Sequence, residues 1–287
     1  MEIALERYYG HRLVLPQVVA ALLFARERPP ALLLAPEERL RRYRDLLALG
    51  VPVYVNPGLE AWEERALFLM SYEEALSPFP EDPSSWRLVL EVGRSYPRGE
   101  LLDRLLRMGY ARDEDYRVLG EVLELGGVRL EFFGEELERL LVEGEERRRH
   151  ILLPKPGKAE AFTSRKLLHF PGPVYLDTPA LAPKEVWSLL RGRQVVALGS
   201  GVELPPLDLG VRPLPPYRGS LKSLEKDLAR WLGEGRRVSL FVAHERTLDY
   251  LKRRLAPFRP QVPERFPGPK GQLSLFRGAF ELSLIHI

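Results

Sequence analysis

The sequence contains no cysteine, and this absence excludes disulfide bonds, a thiol nucleophile and any zinc or iron–sulfur site held by cysteine. Its five histidines never occur at a spacing that places two imidazoles on one helix face, so a histidine-rich metal site on a helix is not expected. The apolar run 13–24 is too short to span a bilayer and contains Pro16. The first residues mix acidic and basic side chains where a signal peptide would be apolar. The sequence therefore predicts a cytoplasmic protein without a metal site and without a membrane partner.

A second absence is the Gly-Lys-Ser/Thr loop that holds nucleotide phosphates. Residues 10–14, where such a loop would fall, read Gly-His-Arg-Leu-Val and supply neither the lysine nor the hydroxyl for Mg²⁺. The Gly-Ser-Gly at 199–201 is half of a dinucleotide fingerprint, but Leu204 takes the third glycine position and two prolines follow it. His244 and Glu245 could form an acid/base pair, but no third group is placed to orient the histidine, and a helix start explains His244 better. We predict no catalytic residue, no cofactor-binding residue and no ATPase activity for this chain.

The charges that are present nearly balance, with 43 Lys+Arg against 40 Asp+Glu and a net charge of +3. Every Lys or Arg position before Lys155 is arginine, a bias that favours a thermophilic, high-GC source. Three arginine-rich stretches, 39–44, 236–237 and 253–254, could contact nucleic-acid phosphates. The acidic residues beside them favour solvated helix faces instead, and the residues alone leave both interpretations open.

The pattern of helices and strands predicts two or three domains in 287 residues. Helices alternate with short apolar strands over 16–76 and again over 171–198, which is typical of a parallel α/β sheet. Segment 86–150 differs, since it predicts a strand at 86–92, a helix at 98–108, strands at 116–125 and 128–133, and a charged run that closes it. The predicted domains are 1–85 and 151–205 (one α/β domain in two parts), 86–150 (an inserted α+β domain) and 212–287 (a small α/β domain).

The end of the sequence predicts a helix–strand–helix segment, a proline-rich loop to Lys270 and an apolar strand at 280–285. Prolines cluster before it, over 204–216, and predict a linker. Because the chain stops inside the last apolar strand, we expect it to be a fragment of a longer protein.

Strand 128–133 carries a candidate binding surface. Successive side chains of a strand point to opposite faces, so one face supplies core residues and the other displays an arginine beside an aromatic ring, types that are enriched at interface hot spots. The two sets are Val128, Leu130 and Phe132, and Arg129, Glu131 and Phe133. In the alternative interpretation, Phe133 is buried under a following helix and Arg129 pairs with Glu131 or Glu135.

At these residues the sequence resembles a known family. Gly109-Tyr110, Gly120-Glu121 and the run 129–138 (RLEFFGEELE) are similar to the UvrB-interaction (UvrA-binding) module shared by UvrB repair helicases and transcription-repair coupling factors (Mfd). The flanking segments favour the coupling factors, because UvrB keeps the phosphate loop that is missing here. The resemblance implies a degenerate helicase-like α/β parallel-sheet domain with an inserted α+β UvrA-binding domain, followed by a small α/β domain. The residues that it places at the contact with UvrA are Arg129, Phe133, Glu131 and Phe132.

The resemblance also implies a function. The chain would be the ATPase-inactive N-terminal region that recruits UvrA in transcription-coupled nucleotide excision repair. Its parent would be a DNA translocase that displaces stalled RNA polymerase, and ATP, Mg²⁺ and RNA polymerase would bind only to domains beyond these residues. Direct DNA binding by this region would be weak. The alternative is a nucleic-acid-binding remnant of a helicase that acts on DNA directly.

Overall fold

A computed structural model describes residues 5–155, 162–209, 211 and 220–278. Within these ranges the α-helices are α1 (Gln17–Phe24), α2 (Glu37–Tyr43), α3 (Tyr72–Ala75), α4 (Arg98–Arg107), α5 (Lys184–Leu189), α6 (Leu221–Gly233) and α7 (Glu245–Arg254). The strands are β1 (His11–Leu13), β2 (Ala31–Ala35), β3 (Val53–Val55), β4 (Leu67–Ser71), β5 (Pro78–Phe79), β6 (Leu88–Glu91), β7 (Tyr116–Leu119), β8 (Val122–Leu125), β9 (Val128–Phe133), β10 (Glu136–Val142), β11 (Glu145–Glu146), β12 (Arg149–Leu152), β13 (Ser164–Arg165), β14 (Val174–Asp177), β15 (Val195–Leu198), β16 (Val238–Val242) and β17 (Leu273–Arg277).

The described residues form two compact units. The first unit comprises those within Met1–Asn56, Glu63–Ala75 and Phe170–Ile287, and the second those within Pro57–Trp62 and Leu76–His169. Most of the second unit is therefore one continuous stretch of chain, with segments of the first unit before and after it. The domain limits proposed from the sequence stay predictions.

The first unit contains a six-stranded sheet in the order β1-β15-β14-β2-β4-β3, and all of its strand pairs are parallel. Every residue of β2, β4 and β14 is buried, as expected for parallel strands whose two faces are both covered. Prolines precede three of its helices, with Pro16, Pro36 and Pro183 at the N-caps of α1, α2 and α5, because a helix start tolerates the missing N–H of proline. The α/β class and the mainly parallel sheet predicted from the sequence are confirmed.

The first unit also contains a smaller sheet, in which β16 and β17 pair in parallel. Helices α6 and α7 pack against it, and Leu228, Trp231 and Leu275 lie in the shared core. Strand β17 is a correction, because the sequence analysis placed no strand between the proline-rich loop and residue 280. The strand predicted at 280–285 lies outside the described residues.

The second unit is built around a five-stranded antiparallel sheet in the order β11-β10-β9-β8-β7. Successive strands are joined by two-residue turns, and the apolar side chains on one face of β7 to β10 enter a core that α4 covers with Leu101 and Leu105. The sheet is thus a meander with one buried and one outward face, an arrangement common among antiparallel sheets.

Two predictions in this unit were wrong. The single strand predicted at 116–125 is a hairpin, because Gly120 adopts a left-handed backbone conformation (φ +61°) in the turn between β7 and β8. The charged run 135–149 forms β10, β11 and the start of β12. In β10 the charges lie on the outward face, while Leu137 and Leu140 are buried on the inward face, a division that net charge alone conceals.

No helix in the described ranges is both long and apolar enough to cross a membrane.

Candidate protein-binding face of the second unit

Strand β9 separates its side chains between the two faces of the antiparallel sheet. Leu130 is buried in the core, whereas 73% of Phe133 is exposed. Arg129 is exposed and Glu131 is half-buried on the same outward face as Phe133. The predicted alternation along this strand is confirmed, and it leaves a large aromatic ring in solvent on a rigid element.

Phe132, which the sequence analysis included among the contact residues, lies on the opposite face. It is 5% exposed and packs in the core, with the guanidinium carbon of Arg98 5.0 Å from its ring centroid. Phe132 therefore contributes to the packing that holds β9, and a partner on the outward face would not touch it.

The alternative interpretation of this strand was half right. The segment after Phe133 is not a helix but the turn to β10, where Glu136 pairs opposite Phe133, so nothing buries the phenyl ring as that interpretation required. Arg129 does pair with Glu131, and its Nε lies 2.9 Å from Oε1 of the carboxylate. The arginine is thus both displayed on the surface and engaged in an ion pair.

The ion pair belongs to a chain of alternating charges that crosses four strands, which we call the charge ladder: Glu124, Arg129, Glu131, Arg139 and Glu146. Arg129 Nη1 lies 3.1 Å from Oε1 of Glu124, the residue opposite it on β8. Arg139 Nη1 lies 3.8 Å from Glu131 Oε2, and Arg139 Nε lies 3.3 Å from Glu146 Oε1. The face therefore presents both signs of charge in fixed alternation.

Apolar side chains flank the charge ladder. Leu119 on β7 is 57% exposed, and the register places it opposite Val122, which in turn lies opposite Glu131. Leu119, Glu124 and Arg139 were not among the site residues predicted from the sequence. The outward position of Arg139 depends on the β-bulge between Leu137 and Arg139, and the pairing of Glu124 with Arg129 depends on the turn at Gly126.

The carboxyl end of the parallel sheet is the usual ligand position in such folds, at the point where neighbouring strands connect in opposite directions. Here that point lies between β14, which continues to the adjacent β15, and β2, which continues towards β3 at the far edge. Asp177, the last residue of β14, is 3% exposed there. The protein's own side chains fill this position: Asp177 Oδ2 accepts hydrogen bonds from Arg39 Nε (2.7 Å) and from the Tyr43 hydroxyl (2.9 Å).

These residues do not fit a nucleotide. The carboxylate that could hold Mg²⁺, that of Asp177, is paired with Arg39. Burial, followed by the charge of Asp177, raises the pKa of Tyr43, so the phenol keeps its proton and stays a hydrogen-bond donor to Asp177. Strand β1 connects to α1 through Val14, Leu15 and Pro16, which form no glycine-rich phosphate loop. The Gly-Ser-Gly of 199–201 lies in a bend after β15, not at a helix N-terminus. His244 is the N-cap residue of α7 without a capping hydrogen bond from its side chain.

Several arginines that could meet nucleic acid have partners within the protein. Arg39 pairs with Asp177, and Arg254 Nη2 lies 3.0 Å from Glu225 Oε1. Arg236 Nε lies 2.5 Å from Glu234 Oε2. These pairs agree with the interpretation of the arginine stretches as ion-paired surface, and DNA binding stays a prediction.

A cleft of about 510 Å³ lies elsewhere in the second unit, bordered by Tyr110, His150 and Lys155. Its two charged groups are paired with each other, since Lys155 Nζ lies 2.7 Å from Asp115 Oδ1. The Tyr110 hydroxyl donates to the Leu153 carbonyl (2.6 Å). The polar side chains of Tyr110, Asp115 and Lys155 at this cleft therefore already have partners.

No protein-family model matches the chain. Part of it is similar to UvrABC system protein B from several bacteria. It is 42% identical to the Thermus thermophilus protein over 21% of this chain and 11% of that protein, and 33% identical to the Fervidobacterium nodosum protein over the same shares. It is 35% identical to the Caldicellulosiruptor saccharolyticus protein over 31% of this chain and 16% of that protein. The matches thus span only 11% to 16% of the length of these relatives.

Proposed function

We propose that this chain is a docking module of nucleotide excision repair that recruits UvrA through the outward face of the five-stranded sheet. The partial similarity to UvrABC system protein B supports a role in the UvrABC system. The resemblance of residues 109–138 to the UvrA-binding module supports UvrA as the partner. A cytoplasmic location is part of this proposal.

One observation carries the proposal: Phe133 is 73% exposed at the end of a strand whose other face is fully packed. An aromatic ring in this position costs little conformational entropy on binding, because its backbone is already fixed. Arg129 lies two residues away on the same face, and aromatic and arginine side chains are the types that dominate interface energetics. The face is built for a protein partner that accepts a ring beside charges of both signs.

The finer part of the proposal assigns the chain to the N-terminal region of a transcription-repair coupling factor. The short connection from β1 to α1 and the Arg39–Asp177 pair support this assignment, because the first lacks the Gly-Lys-Ser/Thr loop that holds nucleotide phosphates and the second engages the carboxylate at the strand end. On this proposal the parent is an ATP-driven DNA translocase that displaces stalled RNA polymerase. ATP, Mg²⁺ and RNA polymerase then bind other domains, and the chain by itself hydrolyses no ATP above background.

The test is a calorimetric titration of the 287-residue chain with UvrA. We expect binding, and we expect Phe133→Ala to cost about 2 kcal/mol or more of binding free energy, as hot-spot residues do. Leu106→Ala is the matched control, because Leu106 is 63% exposed on α4 of the same unit and lies outside the sheet face. A wild-type chain that does not bind, or a Phe133→Ala variant that binds as well as the control, would overturn the proposal.

DNA retention measured over a range of salt concentrations separates this proposal from the alternative. A docking surface of mixed sign predicts little retention of DNA by the isolated chain. A direct nucleic-acid binder shows log K falling steeply and linearly with log salt as phosphate counterions are released, and that result would favour the helicase-remnant hypothesis.

A further inference from the structure

The outward face of the second unit contains more than the residues that the resemblance implies. Glu124 and Arg139 lie at the neighbouring positions of β8 and β10, and each contacts a residue of β9 without belonging to that strand. Nothing in the sequence pattern around Arg129 indicates either of them. Their contacts act on the side chains of Arg129 and Glu131 on β9, and the identity of the partner that these side chains would meet rests on the proposed function.

We propose that Glu124 and Arg139 are positioning residues that fix the side chains of Arg129 and Glu131 beside Phe133 before the partner arrives. Glu124 holds the guanidinium of Arg129 from the adjacent strand, and Arg139 holds the second oxygen of the Glu131 carboxylate.

The geometry at Arg129 shows how the first pair acts. Its Nη1 faces Glu124 and its Nε faces Glu131, at 3.1 and 2.9 Å, so two different nitrogens of one planar group are engaged from two directions. A long side chain with one exposed contact keeps much of its rotamer freedom, whereas two contacts at an angle define the plane of the guanidinium. Arg129 is therefore ordered although its side chain is 49% exposed.

Glu131 lies between two arginines, one at hydrogen-bond distance (2.9 Å) and one at ion-pair distance (3.8 Å). Its Oε1 accepts from Arg129 and its Oε2 faces Arg139, whose own Nε is anchored on Glu146. Each ladder residue from Arg129 to Arg139 thus has a partner on both sides. Because these side chains are already ordered, binding of a partner to this face costs less side-chain entropy than binding to free charges would. The partner must also match an alternating pattern of charges, which favours selectivity over general electrostatic attraction.

The backbone register makes this arrangement specific. The two-residue turn at Gly126 brings Glu124 directly opposite Arg129, and the β-bulge between Leu137 and Arg139 brings Arg139 opposite Glu131. Without the bulge, the alternation of β10 would place Glu138 opposite Glu131 and oppose two like charges. The bulge and the turn therefore align the ladder.

The decisive experiment is a double-mutant cycle in UvrA binding, made with the 287-residue chain. We expect Glu124→Gln to weaken binding about fivefold, the scale of one exposed ion pair, and to have no further effect when Arg129 is already alanine. Glu124→Asp, which keeps the carboxylate, should bind more tightly than Glu124→Gln, and Glu114→Gln, an exposed carboxylate outside the ladder, should bind as wild type. Independent, multiplicative effects of Glu124→Gln and Arg129→Ala would overturn the positioning role.

A second measurement keeps the inference separate from the proposed function. Relaxation of the arginine ¹⁵Nε signals in the free chain reports the mobility of each guanidinium. We expect Glu124→Gln to increase the mobility of the Arg129 guanidinium. In Arg139→Gln, Glu131 keeps only its contact with Arg129. The thermal unfolding temperature of both variants should stay close to that of wild type. An Arg129 that stays equally rigid in Glu124→Gln refutes the inference. Absence of UvrA binding by the wild type refutes only the identity of the partner.

Discussion

The parallel sheet and the antiparallel sheet of this protein differ in where their polar side chains lie. In the parallel sheet, β2, β4 and β14 are buried throughout, and the charge of Asp177 is confined to a strand end, where Arg39 and Tyr43 neutralise and hydrogen-bond it. In the antiparallel sheet, one whole face is left to solvent and carries the charge ladder and Phe133. The parallel strands are thus covered on both faces, whereas the antiparallel sheet keeps one face exposed to solvent.

The largest expected difference concerns leucines of the two sheets. Leu33→Ala removes a fully buried side chain between Tyr175 and Leu69, and we expect it to lower the free energy of unfolding by about 3 kcal/mol. Leu119→Ala is the matched substitution on the outward face of the other sheet, and we expect a change within about 0.5 kcal/mol. Urea denaturation followed by circular dichroism measures both. Equal losses would show that the outward face is not a free surface.

The next prediction compares the buried ion pair with the exposed ladder. Asp177→Ala leaves the Tyr43 hydroxyl buried without its acceptor and Arg39 without its carboxylate, so we expect a loss of about 2 kcal/mol of stability. Glu131→Ala breaks two exposed pairs and should cost less than about 1 kcal/mol, because solvent screens them. Chemical denaturation measures the free energy of unfolding of both variants. If Glu131→Ala costs as much as Asp177→Ala, the ladder is a structural element of the fold.

A third prediction uses a buried carboxylate of the first unit. Glu27 is 7% exposed and accepts a hydrogen bond from the Tyr175 hydroxyl at 2.7 Å and one from Tyr9. Burial raises the pKa of the Glu27 carboxyl above the ordinary value of 4.5. As pH rises, the unfolded chain therefore loses the Glu27 proton at a lower pH than the folded chain does. The contribution of Glu27 to stability is therefore full below about pH 4.5 and falls as pH rises through the folded-state pKa.

Glu27→Gln tests this directly. The amide does not ionise, so the stability of the variant relative to wild type should increase from pH 4 to pH 7, as determined by denaturation at each pH. A difference that is flat with pH, or of the opposite sign, would contradict the raised pKa.

The smallest expected effect has the opposite sign and lies in the second unit. The hydrogen bond from Lys155, followed by that from the Ala111 N–H, lowers the pKa of Asp115 below its ordinary value of 3.8. The stabilising contribution of Asp115 is therefore present above pH 3.8 and is lost as pH falls through the folded-state pKa. Asp115→Asn should lower stability slightly at pH 7 and not at pH 2 to 3, and a larger loss at the acidic end would contradict this direction.

Local patterns were enough to predict much of this molecule. The alternation of apolar strands with helices that begin at proline predicted the parallel sheet, and the period of two in β9 predicted that Phe133 faces outward. The patterns failed where a turn or bulge intervenes. Gly120 divides one predicted strand into two, and the charged run after Phe133 conceals β10 because the bulge between Leu137 and Arg139 interrupts the period of two.

The amino-acid sequence by itself determined that no cysteine chemistry is available, and it indicated the α/β class and the two faces of β9, because each depends on residue types or on spacing along one segment. Only the tertiary structure decided which residues meet. Arg39 and Asp177 are 138 positions apart, and Glu124 reaches Arg129 only through the register of a hairpin. Such contacts depend on strand order and pairing, which are properties of the whole chain and of no single segment of it.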